Sequence, residues 1–251
     1  MKLTIVGCAG SYPGPDSAAS CYLVEAEHQG RSWRIVLDLG NGALGALHNY
    51  TDPLAVDAVL LSHLHADHCI DMTSYYVLRK YHPKGAQPPI PVWGPRGTAR
   101  RLASAYDLPK ASGMREEFDF RRLKEPFEFG PFVIEPIALD HPVEAFGFRI
   151  TADGATLAYT GDTGRCDELD YLARDVDLLL CEASYLSDVD NPVGVHLTGA
   201  EAAEIANRAG AKRLVLTHIP AWYDPQDVLA DAAGFNGPVE LARPSVSYDL
   251  G

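Results

Sequence analysis

The stretch Leu60-Leu61-Ser62-His63-Leu64-His65-Ala66-Asp67-His68 decides how the rest of this chain is read. An apolar run, expected as a strand over Ala58–Ser62, leads into four side chains that bind metals well. Alternation along a strand places residues two apart on one face, so His63 and His65 are expected side by side, where two imidazoles can share an ion. Asp67 and His68 follow as the chain turns towards a helix, within reach of a second ion a few ångströms away, the arrangement used by two-metal hydrolases. At average residue frequencies H-x-H-x-D-H arises by chance in a chain this long about one time in a thousand, so a coincidental cluster of core or surface histidines is a poor account of it.

The chain of 251 residues is 47% hydrophobic, enough apolar material for one sizeable core, and a single domain over 1–251 is expected. No apolar run reaches the roughly 18 residues of a membrane-spanning helix. Met1-Lys2-Leu3-Thr4-Ile5-Val6-Gly7 reads as a first strand and not as a signal peptide, which predicts a cytoplasmic protein. Five scattered cysteines without a C-x-x-C pair predict buried thiols, neither disulfides nor a cysteine-zinc knuckle. The formal net charge is −13, and the only short basic clusters are Arg96–Arg101 and Arg121–Lys124. That balance argues against a large RNA partner, whose binding is driven by phosphate contacts. It leaves room for a small phosphate ester whose charge bound cations would meet locally.

Short β-rich runs bounded by Gly, Pro and Asp predict strands at Leu3–Cys8, Ser20–Glu25, Arg34–Leu39, Ala58–Ser62, Pro91–Trp93, Phe132–Leu139, Phe146–Thr151, Thr156–Thr160, Leu178–Cys181 and Arg213–Thr217. Helices are expected at Met72–Tyr81, Gly97–Tyr106, Asp167–Arg174, Gly199–Ala209 and Pro225–Ala233. The fourth is best marked: Thr198 with Glu201 forms a capping box, and Gly210 stops the last turn. Tyr81–Pro91 reads as a loop. Strands first, then strands mixed with helices, suggest a layered α/β domain.

The H-x-H-x-D-H segment resembles that of the metallo-β-lactamase superfamily, and the likeness extends over nearly the whole chain. In that superfamily a later His, a later Asp and a final His complete the site, each at a strand end. Here His141 closes Ile134–His141, Asp162 follows Leu157–Gly161, and His218 closes Leu214–His218. Alone, each has an ordinary reading as a structural histidine or a turn-forming aspartate. The resemblance implies that His63, His65 and His141 hold one divalent ion and Asp67, His68 and His218 another, with Asp162 bridging. Zinc is the expected metal, and manganese or iron suits the same donors. Asp38, in Val36-Leu37-Asp38-Leu39-Gly40, stands where the superfamily has an aspartate that orients a ligand histidine, with a turn-capping role as its rival. The implied fold is a four-layer αββα sandwich with the metals at one edge.

Two further segments resemble motifs of ribonuclease Z and its relatives. Cys181-Glu182-Ala183-Ser184 is similar to a His-Glu-Ala-Thr motif, with Cys181 in place of the His and Ser184 in place of the Thr. Val195-His196-Leu197-Thr198 is similar to a His-Ser-Thr loop. The resemblance implies that Glu182 orients and charges His196, which protonates the leaving oxygen as general acid, while a hydroxide made available by the two ions attacks phosphorus, with Asp67 among the catalytic residues. The ordinary reading is a strand-end glutamate and a surface-loop histidine. Bacterial ribonuclease Z inserts a long arm for transfer RNA between its counterparts of His141 and Asp162. Here a hairpin around Asp153-Gly154 fills the interval.

The short, armless pattern is similar to bacterial cyclic nucleotide phosphodiesterases of this superfamily. It is also similar to the cyclic-phosphate phosphodiesterase of phosphonate breakdown. The expected function is therefore hydrolysis of a small phosphodiester, a cyclic nucleotide first. Transfer-RNA 3′ processing, lactam or thioester hydrolysis, and metal-dependent binding without turnover stand as alternatives. Tyr12, Tyr75, Tyr76, Trp222 and Tyr223 are candidates to stack on a base, with burial in the core as the competing reading. Gly7–Gly14 follows the first strand, and the resemblance implies a loop there that approaches the site; it is no P-loop, lacking the Lys-Ser/Thr pair. Relatives are often dimers, so a homodimer is the expected assembly.

Overall fold

A computed structural model describes all residues from Met1 to Gly251. The first half runs β1 (Lys2–Gly10), β2 (Ala18–Ala19), β3 (Cys21–His28), β4 (Arg31–Leu37), α1 (Ala43–Leu47), β5 (Ala58–Leu60), α2 (Ala66–Cys69), α3 (Met72–Lys80), β6 (Ile90–Gly94), α4 (Thr98–Ala105) and β7 (Phe118–Arg122). The second half runs β8 (Phe127–Phe129), β9 (Phe132–Leu139), β10 (Ala145–Ala152), β11 (Ala155–Tyr159), α5 (Glu168–Leu172), β12 (Leu178–Glu182), α6 (Gly199–Ala209), β13 (Leu214–Thr217), β14 (Ile219–Pro220), α7 (Pro225–Asp231), β15 (Val239–Leu241) and β16 (Ser247–Asp249).

The strands form two sheets. One is ordered β14-β1-β3-β4-β5-β6-β7, with β2 and β16 also on β1; the other is ordered β15-β13-β12-β11-β10-β9-β8. The layering follows from strand periodicity. All five residues of β12 are buried, yet Leu178 and Leu180 pack in the cluster that includes both sheets' inner faces, while Leu179 and Cys181 pack with Leu169, Ala202 and Val228 of α5, α6 and α7. In the other sheet Ala58 and Leu60 face inward and Val59 faces Met72, Tyr75 and Leu102 of α3 and α4. A strand covered on both faces must be apolar at every position, and these are. Three apolar interfaces separate four layers, the αββα sandwich.

Chain reversals are specified locally. Asp153 (φ 53°) and Gly154 (φ 79°) form the turn of the β10–β11 hairpin, which pairs Ala152 with Ala155. On α6 the Thr198 hydroxyl accepts from Glu201 N at 3.1 Å and the Glu201 carboxylate accepts from Thr198 N at 3.0 Å, and Gly210 (φ 73°) ends the helix. No helix is long and apolar enough to cross a membrane. None of the five cysteines is in a disulfide; Cys21, Cys69 and Cys181 are buried and Cys8 and Cys166 partly so.

Several expectations change. β5 ends at Leu60, not Ser62, so His63 and His65 lie on the loop between β5 and α2. Strand alternation is therefore not what brings these two rings together. β1 runs through Gly10, so only Ser11 onwards of the Gly7–Gly14 segment is loop. Tyr75 and Tyr76 are core residues packed under α4, which removes them as base-stacking candidates. The basic segment Arg121–Lys124 begins inside β7, whose parallel pairing with β6 sets Arg122 opposite Gly94 and brings it close to the Arg96 segment.

Candidate metal centre

One end of the sandwich gathers seven imidazole and carboxylate side chains from four separated segments. The β5–α2 loop and α2 supply His63, His65, Asp67 and His68, and the turns after β9, β11 and β13 supply His141, Asp162 and His218. His63 Nε2 lies 3.0 Å from His65 Nδ1 and 3.6 Å from Asp162 Oδ2, and His141 Nε2 lies 3.3 Å from His65 Nδ1. In a second group His218 Nε2 lies 3.0 Å from His68 Nε2, 3.1 Å from Asp67 Oδ2 and 3.4 Å from Asp162 Oδ1. Within each of the quartets His63/His65/His141/Asp162 and Asp67/His68/Asp162/His218, all donor atoms fall within 4.8 Å of one another. Asp162 belongs to both.

His218 is the single residue between β13, in one sheet, and β14, in the other, and its φ of 57° makes that step. Left-handed backbone at a non-glycine residue is uncommon and is held by its surroundings. The Ser184 hydroxyl sits 2.8 Å from His218 Nδ1 and 2.7 Å from its carbonyl oxygen, fixing ring and backbone together. Gly10 packs so tightly on this corner that a β-carbon there would lie 2.1 Å from His218 O. Gly40 does the same for Asp67, with a β-carbon 1.9 Å from its carbonyl. Both glycines are required by close backbone approach.

Asp38 is fully buried, with φ 58°. Its Oδ1 accepts from Ser62 N at 2.7 Å, and its Oδ2 is 2.7 Å from each of Ser62 Oγ, His68 Nδ1 and Tyr159 OH. Such an acceptor holds the N–H of His68 on Nδ1 and leaves Nε2 to face the cluster. His141 is oriented in the same way, its Nδ1 lying 3.0 Å from Val195 O. Nothing in the sequence marks Ser62, Tyr159, Ser184 or the Val195 carbonyl as supports of the cluster. Ser184 alone carried a signal there, as a small hydroxyl in the glutamate motif.

Glu182, at the end of β12, is fully buried. Its Oε1 accepts from Thr163 N at 2.9 Å and lies 2.9 Å from His196 Nδ1, and its Oε2 accepts from Ser184 N at 3.3 Å. His196 Nδ1 is 4.0 Å from Asp162 Oδ2, so the pair borders the cluster. Burial works against a charged His196, but the Glu182 carboxylate prevails and pushes its pKa up to about 9.

The donor set fits divalent cations. Burial is the first cause that holds His63, and likewise His65 and His141, below the ordinary imidazole range, which keeps their lone pairs free. Burial works against ionised Asp67 and Asp162, but the surrounding histidines prevail and keep both carboxyls well below the usual range. Asp162 Oδ1 is buried without a hydrogen-bond partner, with His68 Nε2 3.1 Å away. An orphaned carboxylate oxygen facing convergent imidazole nitrogens is what a cation would satisfy.

Of the remaining candidate aromatics, Tyr12 and Trp222 are exposed (41% and 59%) with ring centroids 5.3 Å apart. Tyr223 instead lines a separate cavity of about 390 Å³, floored by Leu216, Ile219 and Leu241, that touches none of the seven clustered side chains.

Residues 34–219 match the family described as the β-lactamase superfamily domain. An uncharacterized protein of Mycobacterium tuberculosis is 45% identical over 256 residues, covering 100% of this chain and 92% of the relative. The probable metallo-hydrolase YhfI of Bacillus subtilis is 30% identical, covering 97% of each. The crystal structure of YhfI superposes with a TM-score of 0.88 at 27% identity, covering 100% of this chain and 99% of that one. Ribonuclease Z of Mycobacterium bovis is 31% identical, covering 97% of this chain and 96% of the relative. With its two sheets, its outer helices and His/Asp clusters suited to a divalent metal centre, the chain belongs to the β-lactamase superfamily as a hydrolase of the metallo-β-lactamase fold.

Proposed function

We propose that this hydrolase cleaves a small phosphodiester, a cyclic nucleotide in first place, using two divalent cations, zinc by preference. His63, His65 and His141 would hold one cation, Asp67, His68 and His218 the other, and Asp162 both. When bound, the cations supply a water of lowered pKa and positive charge against the phosphate oxygens. The observation that carries the reading is the buried Glu182 carboxylate 2.9 Å from His196 Nδ1, beside the cluster. With Nδ1 engaged by Glu182, the His196 proton free to move is on Nε2. From there it meets the oxygen that leaves phosphorus, an alkoxide that departs poorly unless protonated. Glu182 is itself fixed by the Thr163 and Ser184 amides, so the pair keeps its aim. Thioester hydrolysis, whose thiolate leaves without a proton, has no need of such an acid.

Two features favour a small substrate over transfer RNA. The interval from His141 to Asp162 is filled by the tight β10–β11 hairpin, with no arm to grip a folded RNA. The net charge of −13 disfavours a long polyanion. The ribonuclease Z relative makes RNA cleavage the reading to test against. A cytoplasmic location accords with a nucleotide substrate.

The test is to assay metal-reconstituted protein on cyclic AMP, a bis-nitrophenyl phosphodiester and a transfer-RNA precursor, with and without His196→Ala. Cyclic AMP should be hydrolysed and precursor RNA left intact. The substitution should slow cyclic AMP hydrolysis by roughly 10²–10⁴-fold, the range for a lost general acid. It should slow the nitrophenyl ester much less, because nitrophenolate leaves without a proton. Equal losses on both esters would remove the general-acid role, and cleavage of RNA alone would replace the substrate.

A further inference from the structure

We infer that Tyr12 and Trp222 form a stacking surface for the base of a nucleotide whose phosphate lies at the metal centre. The inference deepens the phosphodiester reading above and rests on it for the position of the phosphate.

β1 and β14 run parallel, pairing Ala9 with Ile219 and Gly10 with Pro220, so the segments that follow them leave the same end of the sheet side by side. Ser11, the first residue after β1, adopts φ 63° and places its N–H 3.4 Å from His218 Nε2, the ring nitrogen that faces His68, Asp67 and Asp162. Tyr12 N turns back to Gly10 O at 2.7 Å. Trp222 is four residues beyond His218, past β14. The two rings meet with centroids 5.3 Å apart and planes inclined at 37°. The pair therefore stands on the two loops that leave from either side of a candidate metal-ligand histidine.

Neither ring belongs to any of the three apolar clusters that hold the sandwich together. The other two tryptophans, by contrast, are packed: Trp93 is 6% exposed, and Trp33 lies against the central cluster. Two large rings exposed together on the loops next to His218 leave apolar surface in water that a flat partner would cover. A nucleobase matches that surface, because every base presents a π-face and stacking is tolerant of its identity. Tyr12 and Trp222 are thus positioning residues for the base, while the phosphate goes to the cluster.

The direct test compares 5′-AMP with ribose 5-phosphate, which has the same sugar and phosphate and no base, by calorimetric titration of the zinc-loaded protein. Wild type should bind AMP roughly tenfold or more tightly than ribose 5-phosphate, in keeping with one stacked base. Tyr12→Ala and Trp222→Ala should each shrink that ratio by weakening AMP alone. Trp222→Phe should keep most of it, and Tyr171→Ala, an exposed tyrosine on α5, all of it. AMP and not ribose 5-phosphate should quench a part of the tryptophan fluorescence that Trp222→Phe removes. Equal affinity of the two ligands in wild type, or a ratio untouched by the Tyr12 and Trp222 alanine variants, overturns the inference. Hydrolysis of cyclic AMP with an unaltered ratio in these variants would sink the stacking surface alone. A ratio that responds as expected in a protein inert on cyclic nucleotides would keep the surface and sink the substrate.

Discussion

Asp38 and Ser184 determine how two histidines meet the cluster, and neither belongs to it. Asp38 takes four donors while wholly buried, three of them on one oxygen. Replacing it by asparagine keeps the shape but turns one acceptor into a donor that faces other donors. Leaving such groups unpaired in the interior costs about 1–3 kcal/mol each. Asp38→Asn should therefore lower the thermal midpoint clearly even without metal, and an unchanged midpoint by calorimetry would show that the buried network is dispensable. Ser184→Ala removes the hydroxyl that holds the His218 ring and carbonyl. Zinc affinity should fall roughly 10–100-fold, the usual cost of losing such a support, while the far-ultraviolet dichroism stays unchanged. Retention of wild-type affinity in a chelator competition would place His218 outside the metal shell.

The clustered side chains were readable as a motif plus a resemblance. Their supports were not, since Tyr159 reaches Asp38 across 121 positions, and a lone Tyr or Ser carries no periodicity to announce it.

At the level of elements, the parts with strong local chemistry could be read and the marginal ones could not. α6 was visible through its capping box and glycine stop, and the β10–β11 hairpin through Asp153-Gly154. Of β7 at the sheet edge, Phe-Asp-Phe-Arg-Arg, the sequence marks only Arg121 and Arg122, as part of a basic cluster, because its polar residues are exposed beyond the core. α1 and α2, of five and four residues, are too short to show a helical period, and depend on packing for their form. The β5–α2 loop is the instructive miss. His63 and His65 do converge, but through loop geometry held by Asp38 at Ser62 and by the tight packing of Gly40 on Asp67, which no strand rule contains.

The capping box offers a measure of how far element-level signals matter. Thr198→Ala should destabilise the fold by about 1 kcal/mol, or roughly 2–4 °C in thermal midpoint for a chain of this size. Because Thr198 follows His196 by two residues, the variant should also loosen the loop that carries the acid, seen as faster amide exchange over 194–198. No change in midpoint would mean that packing alone sets the helix start.

Across the whole molecule, the central cluster includes four tyrosine or tryptophan rings, among them Tyr22, Tyr159 and Tyr248. Burial is the leading cause that raises the phenol pKa of Tyr22 and Tyr159 far above the ordinary value, and that of Tyr75 and Tyr248 to about 12. Free tyrosine ionises near about pH 10. These phenols therefore contribute stability that is complete below about pH 10 and is lost as pH rises towards the folded values, because only the unfolded chain gains by ionising them. In an alkaline titration, tyrosinate absorbance should rise in two stages, exposed phenols first and these four only as dichroism reports unfolding. A single stage completed in the folded protein would contradict the packing described for the core.

The two sheets and the steps between them bring residues more than a hundred positions apart to one end, and all the proposed chemistry depends on that convergence. Its most direct test is the metal content of zinc-reconstituted, gel-filtered protein by elemental mass spectrometry. Two zinc ions per chain are predicted for wild type, and fewer than two for Asp162→Ala, which removes the carboxylate common to both quartets. One ion or none in wild type, or two still held without Asp162, would contradict a paired centre at this end of the fold.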